Sequence, residues 1–324
     1  MAVARNWRQL HQVEGPFVAR REDIPALNRV FSDAFTDRYR RDGLVGVRVP
    51  FLNPSIWRYA LDDAGPGAML WRGERGEVAA FNVVHRSGVE GWMGPLAVRP
   101  ESQGAGIGKS AVQAGIEWLR QGGATVVGLE TMPRTMDNIG FYSALGLVPG
   151  RLTLTLTLDA APTDRAAPLL GRLPLRLRDD VVAECRVLLD GLLPGYDFTR
   201  ELMLTDHLAL GDTVLLHRGS AVAGYALCHT APLVEGRVRE ELRVLKLVLA
   251  REGDLDAMML LLADYARRTG VRRVAMRVQG GYVGAYERLI AMGARVRWTD
   301  LRMTMSGADE VMPKGGIVWS NWEV

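Results

Sequence analysis

The sequence predicts an α/β chain built from two successive copies of one strand-and-helix unit, and three observations carry that expectation. Its 324 residues are too many for one such unit and suit two domains. Residues 98–110, V-R-P-E-S-Q-G-A-G-I-G-K-S, pass from an apolar strand through a glycine loop straight into a helix. Gly106, Gly146 and Leu156 return as Gly253, Gly293 and Met303 at one constant offset of 147 residues, which implies a tandem duplication.

Taken in order, residues 18–20 read as a first strand. Arg21-Glu22-Asp23-Ile24-Pro25 then opens a helix, with acids in its first turn and proline just inside. Ala26, Leu27, Val30, Phe31 and Ala34 give that helix one apolar face. Residues 36–63 are less regular and set Tyr39, Phe51, Trp57 and Tyr59 among arginines. The aromatics from Phe51 through to Trp71 are expected at the surface, as a pocket wall or a homodimer contact. Met69-Leu70-Trp71 and residues 78–85 form a hairpin about R-G-E-R-G.

Residues 92–98 supply the central strand, whose pairing Pro100 ends for want of an N–H. Gly104, Gly106 and Gly108 let the loop curl. Val112, Gly115, Ile116 and Leu119 then mark the buried face of a helix that Gly122-Gly123 stop. Open N–H groups at the start of such a helix favour a pyrophosphate, and Lys109 and Arg99 add full charges. Residues 125–130 form a short strand, and N-I-G-F-Y-S-A-L-G-L follows at 138–147. Residues 151–159 alternate leucine with threonine and read as a strand with two unlike faces. Residues 160–174, with Pro162, Pro168 and Pro174, read as a linker.

Spacing separates three readings of the glycine loop. A P-loop needs its first glycine at 103, which is Gln103, and a dinucleotide fingerprint needs glycine at 109, which is Lys109. Gln/Arg-x-x-Gly-x-Gly/Ala is satisfied by Gln103, Gly106 and Gly108. That pattern resembles the acyl-CoA pyrophosphate loop of the GCN5-related N-acetyltransferases (GNAT), the alternative being a plain glycine-rich turn. Residues 138–147 resemble the same family's second signature, a helix carrying Phe/Tyr-Tyr-x-x-Leu-Gly-Phe, and the two stand in the family's order.

The resemblance implies two tandem GNAT folds, each a mixed and mostly antiparallel central sheet flanked by helices. The first domain would span residues 1–159, with 160–174 as linker and 175–324 as a degenerate second domain. It also implies acetyl-CoA as co-substrate, held by Leu96, Ala97, Val98, Gln103, Gly104, Ala105, Gly106, Ile107, Gly108, Lys109, Ser110, Asn138 and Tyr142. A backbone N–H at Ala97 or Val98 would receive the thioester carbonyl. Tyr142 would be the acid for the departing thiolate, since a phenol near pKa ~10 can donate at neutral pH. Its alternative is a core aromatic. Glu130, ending its strand twelve residues before Tyr142, would be the base, or else simply an acid at a strand end. Where the family commonly has asparagine seven residues before the tyrosine, this chain has Thr135, with Asn138 displaced.

The second copy has lost the loop. Ala250-Arg251-Glu252-Gly253-Asp254 carries one glycine and two carboxylates where a pyrophosphate would lie. Like charge there repels an anionic ligand. Leu289 falls at the position of Tyr142, while Leu255, Met258, Met259 and Leu262 preserve an apolar helix face. Residues 315–324 read as a terminal strand, either closing the second copy or packing at the junction, with the Val324 carboxylate near the acceptor site.

Composition narrows the classes further. Formal charge is +3, lysine occurs only at 109, 246 and 314, and the arginine pairs at 20–21, 40–41 and 272–273 are spread out and do not form the aromatic-interleaved platform of a nucleic-acid binder, which argues against nucleic acid. No apolar run approaches a membrane span, and residues 1–10 lack a signal core, so a cytoplasmic location is expected. Cys185 and Cys228 and five scattered histidines show no metal spacing. The reading is an N-acetyltransferase acting on a primary amine of a small molecule or peptide N-terminus. The alternatives are a non-catalytic acyl-CoA sensor and an interaction scaffold.

Overall fold

Apolar residues three and four apart make the first two helices one-sided, and both lie on one face of the first half's sheet. The computed structural model describes residues 13–322, so the expectations for residues 1–10 and for the Val324 carboxylate lie outside the described residues. Leu27 and Val30 of α1 (Ile24–Arg41) and Trp57 and Ala60 of α2 (Pro54–Ala64) are buried together with Leu70, Phe81 and Ala97. Those last three belong to β2 (Ala68–Arg72), β3 (Val78–Ser87) and β4 (Glu90–Val98). On the other face lies α3 (Ile107–Gln121), with Ala111, Val112 and Leu119 buried. Gly115 permits that close approach, because a Cβ there would stand 2.7 Å from both Asn82 and Met93 side chains.

Two local expectations are corrected. The first strand lies earlier, as β1 (Glu14–Val18), because Arg21–Asp23 already turn in a 3-10 helix that feeds α1. Trp57, Tyr59 and Trp71 are buried rather than surface-exposed, since Ile56, Trp57, Ala60 and Leu61 recur at helical spacing and turn α2 onto the sheet. Phe51 alone of that group stays open, at 40% exposure.

The second half repeats the plan. After β5 (Val126–Thr131), α4 (Met136–Ser143) and β6 (Leu147–Asp159), the chain forms α5 (Leu175–Leu192) and α6 (Thr199–His207). Then come β7 (Gly211–Arg218), β8 (Ala221–His229), β9 (Leu242–Leu249), α7 (Leu255–Arg268) and β10 (Arg273–Gln279). The last elements are α8 (Val283–Ala291), β11 (Arg295–Met305) and β12 (Ile317–Ser320). Residues 160–174 are not loose: Ala167, Leu169 and Leu170 are buried, and Leu169 bridges to Val214. Among the described residues no helix is long and apolar enough to cross a membrane, and both cysteines are free and buried.

Among the described residues all twelve strands join in one sheet, in the order β1-β2-β3-β4-β5-β11-β6-β10-β9-β8-β7, with β12 on β9. The centre of that order is an exchange. β11 from the second half inserts between β5 and β6, pairing Leu301 with Thr131 and Thr304 with Gly128. β6 from the first half in turn pairs with β10, from Thr153↔Gln279 to Asp159↔Arg273. The leucine–threonine strand therefore buries both faces. Leu156 joins the second half's core under α7, while Thr153 faces the buried Arg302 side chain and Thr157 accepts from Arg297. Sequence alternation shows which residues share a face and is silent on what covers it.

Candidate active site

A cleft opens in the first half where two parallel strands part. β4 pairs with β5 only from Glu90↔Val126 to Met93↔Leu129. At that point two residues, Gly94 and Pro95, oppose one on β3, a bulge that bends β4 away. The edge of β4 from Leu96 to Val98 thus has no β5 partner, and a cavity of about 540 Å³ lies beside it. The glycine loop forms one end of this cavity. Gly104 at φ 82° and Gly106 at φ 85° hold the left-handed conformation that glycine accepts without strain. The Gln103 side-chain amide donates to Val98 O at 3.0 Å, fixing the loop to the strand end. The first N–H groups of α3 open toward this loop with no carboxylate in the helix's first turn.

The cavity brings together most of the residues expected to hold a co-substrate. Leu96, Ala97, Val98, Gln103, Gly104 and Gly106 line it, with Gly108, Lys109, Asn138 and Tyr142. Ala105 and Ser110 are exposed beside it, and Ile107 is instead a core residue packed with Met69, Trp71 and Ala80. These residues fit an acyl-CoA: backbone donors and Lys109 at one end suit a pyrophosphate, and an unpaired strand edge suits an extended amide-bearing arm.

Tyr142 and Glu130 part company. Tyr142 lines the cleft from α4, with its ring 5.1 Å from Phe141, and burial pushes its hydroxyl up to about 12. Glu130 points to the other face of β5 and enters an ion network at the seam of the two halves. Its carboxylate accepts from Thr153 Oγ1 at 2.5 Å, from Arg302 Nε at 2.9 Å and from Arg277 Nη2. Burial alone would raise its pKa, but the Arg277 and Arg302 guanidiniums outweigh burial and hold the carboxyl below its usual range. Arg302, 1% exposed, also binds Glu310 and Ser320 O and stacks on Trp322 at 4.1 Å.

Sequence reasoning missed Arg277 and Arg302, and it missed the tie across the cleft's mouth. Arg38 on α1 binds Asp42 and reaches Asp137 on α4 at 3.2 Å, while Asp42 accepts from Thr135 Oγ1 at 2.7 Å. Thr135 is fully buried, so the residue standing where the family commonly has asparagine links α1 to the helix that carries Tyr142. Asn138 makes only a 3.5 Å contact to Thr131 Oγ1. The signal available was an arginine alternating with apolar residues in L-R-M-T-M, which marks a buried charge in need of partners.

The corresponding place in the second half is filled. β9 pairs with β10 over Leu242–Val244, and beyond this β12 occupies the gap, from Ser320↔Lys246 to Ile317↔Leu249. The terminal strand thus closes the second half and also reaches the junction, where Ser320 Oγ donates to Glu90 at 2.6 Å and Trp322 Nε1 to Glu90 at 2.8 Å. Asp254 is buried in an ion pair with Arg218. Glu252 lies against the start of α8, its carboxylate 2.5 Å from where a Cβ on Gly284 would stand. Leu289, at the Tyr142 position, is fully buried.

Comparisons with known proteins agree with this geometry. Residues 28–147 match the Acetyltransferase (GNAT) family. No curated protein matches the chain in sequence. A protein from Pyrococcus horikoshii superposes at TM-score 0.65 and 15% identity, over 97% of each chain. A GCN5-related N-acetyltransferase from Sphaerobacter thermophilus gives 0.57 and 17%, over 98% of this chain and 99% of its own. A tandem GNAT protein of the clavulanic acid biosynthesis pathway gives 0.59 and 15%, over 90% and 98%. At these identities the superpositions show the shared fold over nearly the whole chain, and the match to the acetyltransferase (GNAT) family lies in its first half, over residues 28–147.

Proposed function

We propose that the chain transfers an acetyl group from acetyl-CoA to a primary amine in the first-half cleft. The observation that carries this reading is the convergence, on one cavity, of the Gln103–Lys109 loop, the unpartnered edge of β4 and the Tyr142 hydroxyl. When bound, acetyl-CoA supplies an activated acyl thioester. The opening N–H groups of α3 and the Lys109 ammonium hold its pyrophosphate, and the backbone of Leu96, Ala97 and Val98 takes the amide-bearing arm. Ala97 or Val98 N–H polarises the thioester carbonyl. Tyr142 Oη hands its proton to the departing thiolate, for which a hydroxyl kept protonated by burial is suited. Glu130, saturated by two guanidiniums and a hydroxyl, serves as the anchor that fixes β5 against β11, and the ammonium proton leaves through solvent. The second half acts as a wall of the acceptor side and not as a second catalytic unit.

Calorimetric titration of acetyl-CoA tests the reading. One site per chain is expected. Gly106→Glu would force a side chain into φ 85° and place a carboxylate at the α3 start, lowering affinity at least about 100-fold. Two sites, or equal affinity in the variant, would refute the placement of the co-substrate.

A further inference from the structure

The amine needs a path to the thioester that the co-substrate does not fill, and one lies beyond Met132. That residue lines the main cleft and also a second hollow of about 290 Å³. Arg134 walls the hollow from the segment after β5, and Val296, Arg297 and Trp298 wall it from the start of β11. Its lining holds two arginines and no carboxylate. The Arg134 guanidinium sits 5.8 Å from the Tyr39 ring and 5.6 Å from the Trp298 ring, clamped between aromatics of the two halves. Such a clamp positions the cation, and the Asp42 carboxylate whose charge also reaches Arg134 is itself bonded to Arg38 and Thr135 Oγ1. Arg297 is anchored through Nε to Thr157 Oγ1 at 3.0 Å. Asp300, three residues along β11, is taken by Trp298 Nε1 at 3.2 Å and Arg277 Nη2 at 3.0 Å. Val296 and Trp298 remain 45% and 39% exposed and give the hollow an apolar wall.

We infer that this hollow is the acceptor site and that it selects a small amine bearing a carboxylate beside an apolar body. The inference rests on the acetyl-transfer reading and adds the substrate class to it. A planar guanidinium matches a carboxylate in two parallel hydrogen bonds, and the paired arginines lose that partner when the acceptor is neutral. A site built to bind a charged group discriminates strongly against an analogue lacking it. The exchanged strand β11 supplies three of these wall residues, which gives the second half a part in acceptor choice.

The test measures CoA release with L-phenylalanine, L-leucine and L-methionine, each against its α-carboxamide and its decarboxylated amine. Acetyl-CoA affinity is measured calorimetrically on the same samples. At least one acid should exceed its amide tenfold or more in kcat/KM. Arg134→Gln should bring that ratio within about threefold of unity with acetyl-CoA affinity unchanged, and Arg134→Lys should restore part of it. Amides accepted as well as acids, no acid accepted by a chain that binds acetyl-CoA, or an equal loss for acid and amide in Arg134→Gln would overturn the acceptor class alone. Failure to bind acetyl-CoA would overturn the underlying reading.

Discussion

Replacing Glu130 with glutamine separates an anchor from a base. Glutamine keeps the shape and can still accept from Thr153 and Arg302, but it removes the charge that faces Arg277 and Arg302. Removing one partner of a buried ion pair costs about 3–5 kcal/mol. Each arginine here retains a second acid, Asp300 for Arg277 and Glu310 for Arg302, so the lower end, about 3 kcal/mol, is expected. A chain of 324 residues unfolds with roughly 0.7 kcal/mol/K of entropy at about 2.1 cal/mol/K per residue, so Tm should fall by about 4 °C. Because the folded pKa of Glu130 is lowered, its stabilisation is present above the unfolded carboxylate range and fades as pH falls through the folded value. The wild-type and variant melting points should therefore converge in acid. In activity, an anchor predicts less than a tenfold loss well below the new Tm, with the acid limb of kcat/KM in place. A general base predicts about 10²–10⁴-fold loss and disappearance of that limb. A thousandfold loss with an unmoved Tm would refute the argument.

Two further substitutions probe the cleft and the seam. Tyr142→Phe should lower kcat about 10²-fold while acetyl-CoA affinity holds, and with the hydroxyl pushed up to about 12 the wild-type profile should show no alkaline limb from Tyr142 up to pH 10. Stopped-flow or steady-state thiol release checks both. Glu201 on α6 meets Ser87 and lies 3.8 Å from Lys246, and burial, then the charge of Asp63, raise its pKa to about 7. A raised folded pKa gives stability that is full below the unfolded carboxylate value and lost as pH rises through about 7. Glu201→Gln should therefore remove a decline on the order of 2 kcal/mol between pH 5 and pH 8, read from denaturant midpoints at the two pH values.

What was legible in the sequence was local. The glycine spacing after Val98, the helix face at Val112, Ile116 and Leu119, and the placement of Tyr142 depend on neighbours within a turn or two, and a sequence records neighbours directly. The seam was not legible, because Glu130 meets Arg277 and Arg302 across 147 and 172 residues. Nothing in either strand's pattern names its partner. The aromatics from Trp57 to Trp71 were misplaced for a different reason. Adjacent arginines suggested a surface, whereas the helical period of Ile56, Trp57, Ala60 and Leu61 was the stronger signal, since it fixes direction and composition does not.

The two halves treat the same structural gap in opposite ways, and each clarifies the other. In both, two parallel strands pair for three or four residues and then part. Parting leaves a row of backbone donors and acceptors that must be met by protein, water or ligand. In the second half the chain's own β12 meets them, and its backbone runs along Lys246 to Leu249 as an ordinary antiparallel strand. The object that fits such a gap is therefore an extended chain with amides at intervals. In the first half the equivalent edge at Leu96 to Val98 faces a cavity that ends in a glycine loop with open N–H groups. An extended amide-bearing arm ending in a pyrophosphate satisfies both features at once. The second half is not separable under this arrangement, because β11, one of its own strands, covers the edge of β5 that β4 does not pair and so completes the sheet from which the cleft opens.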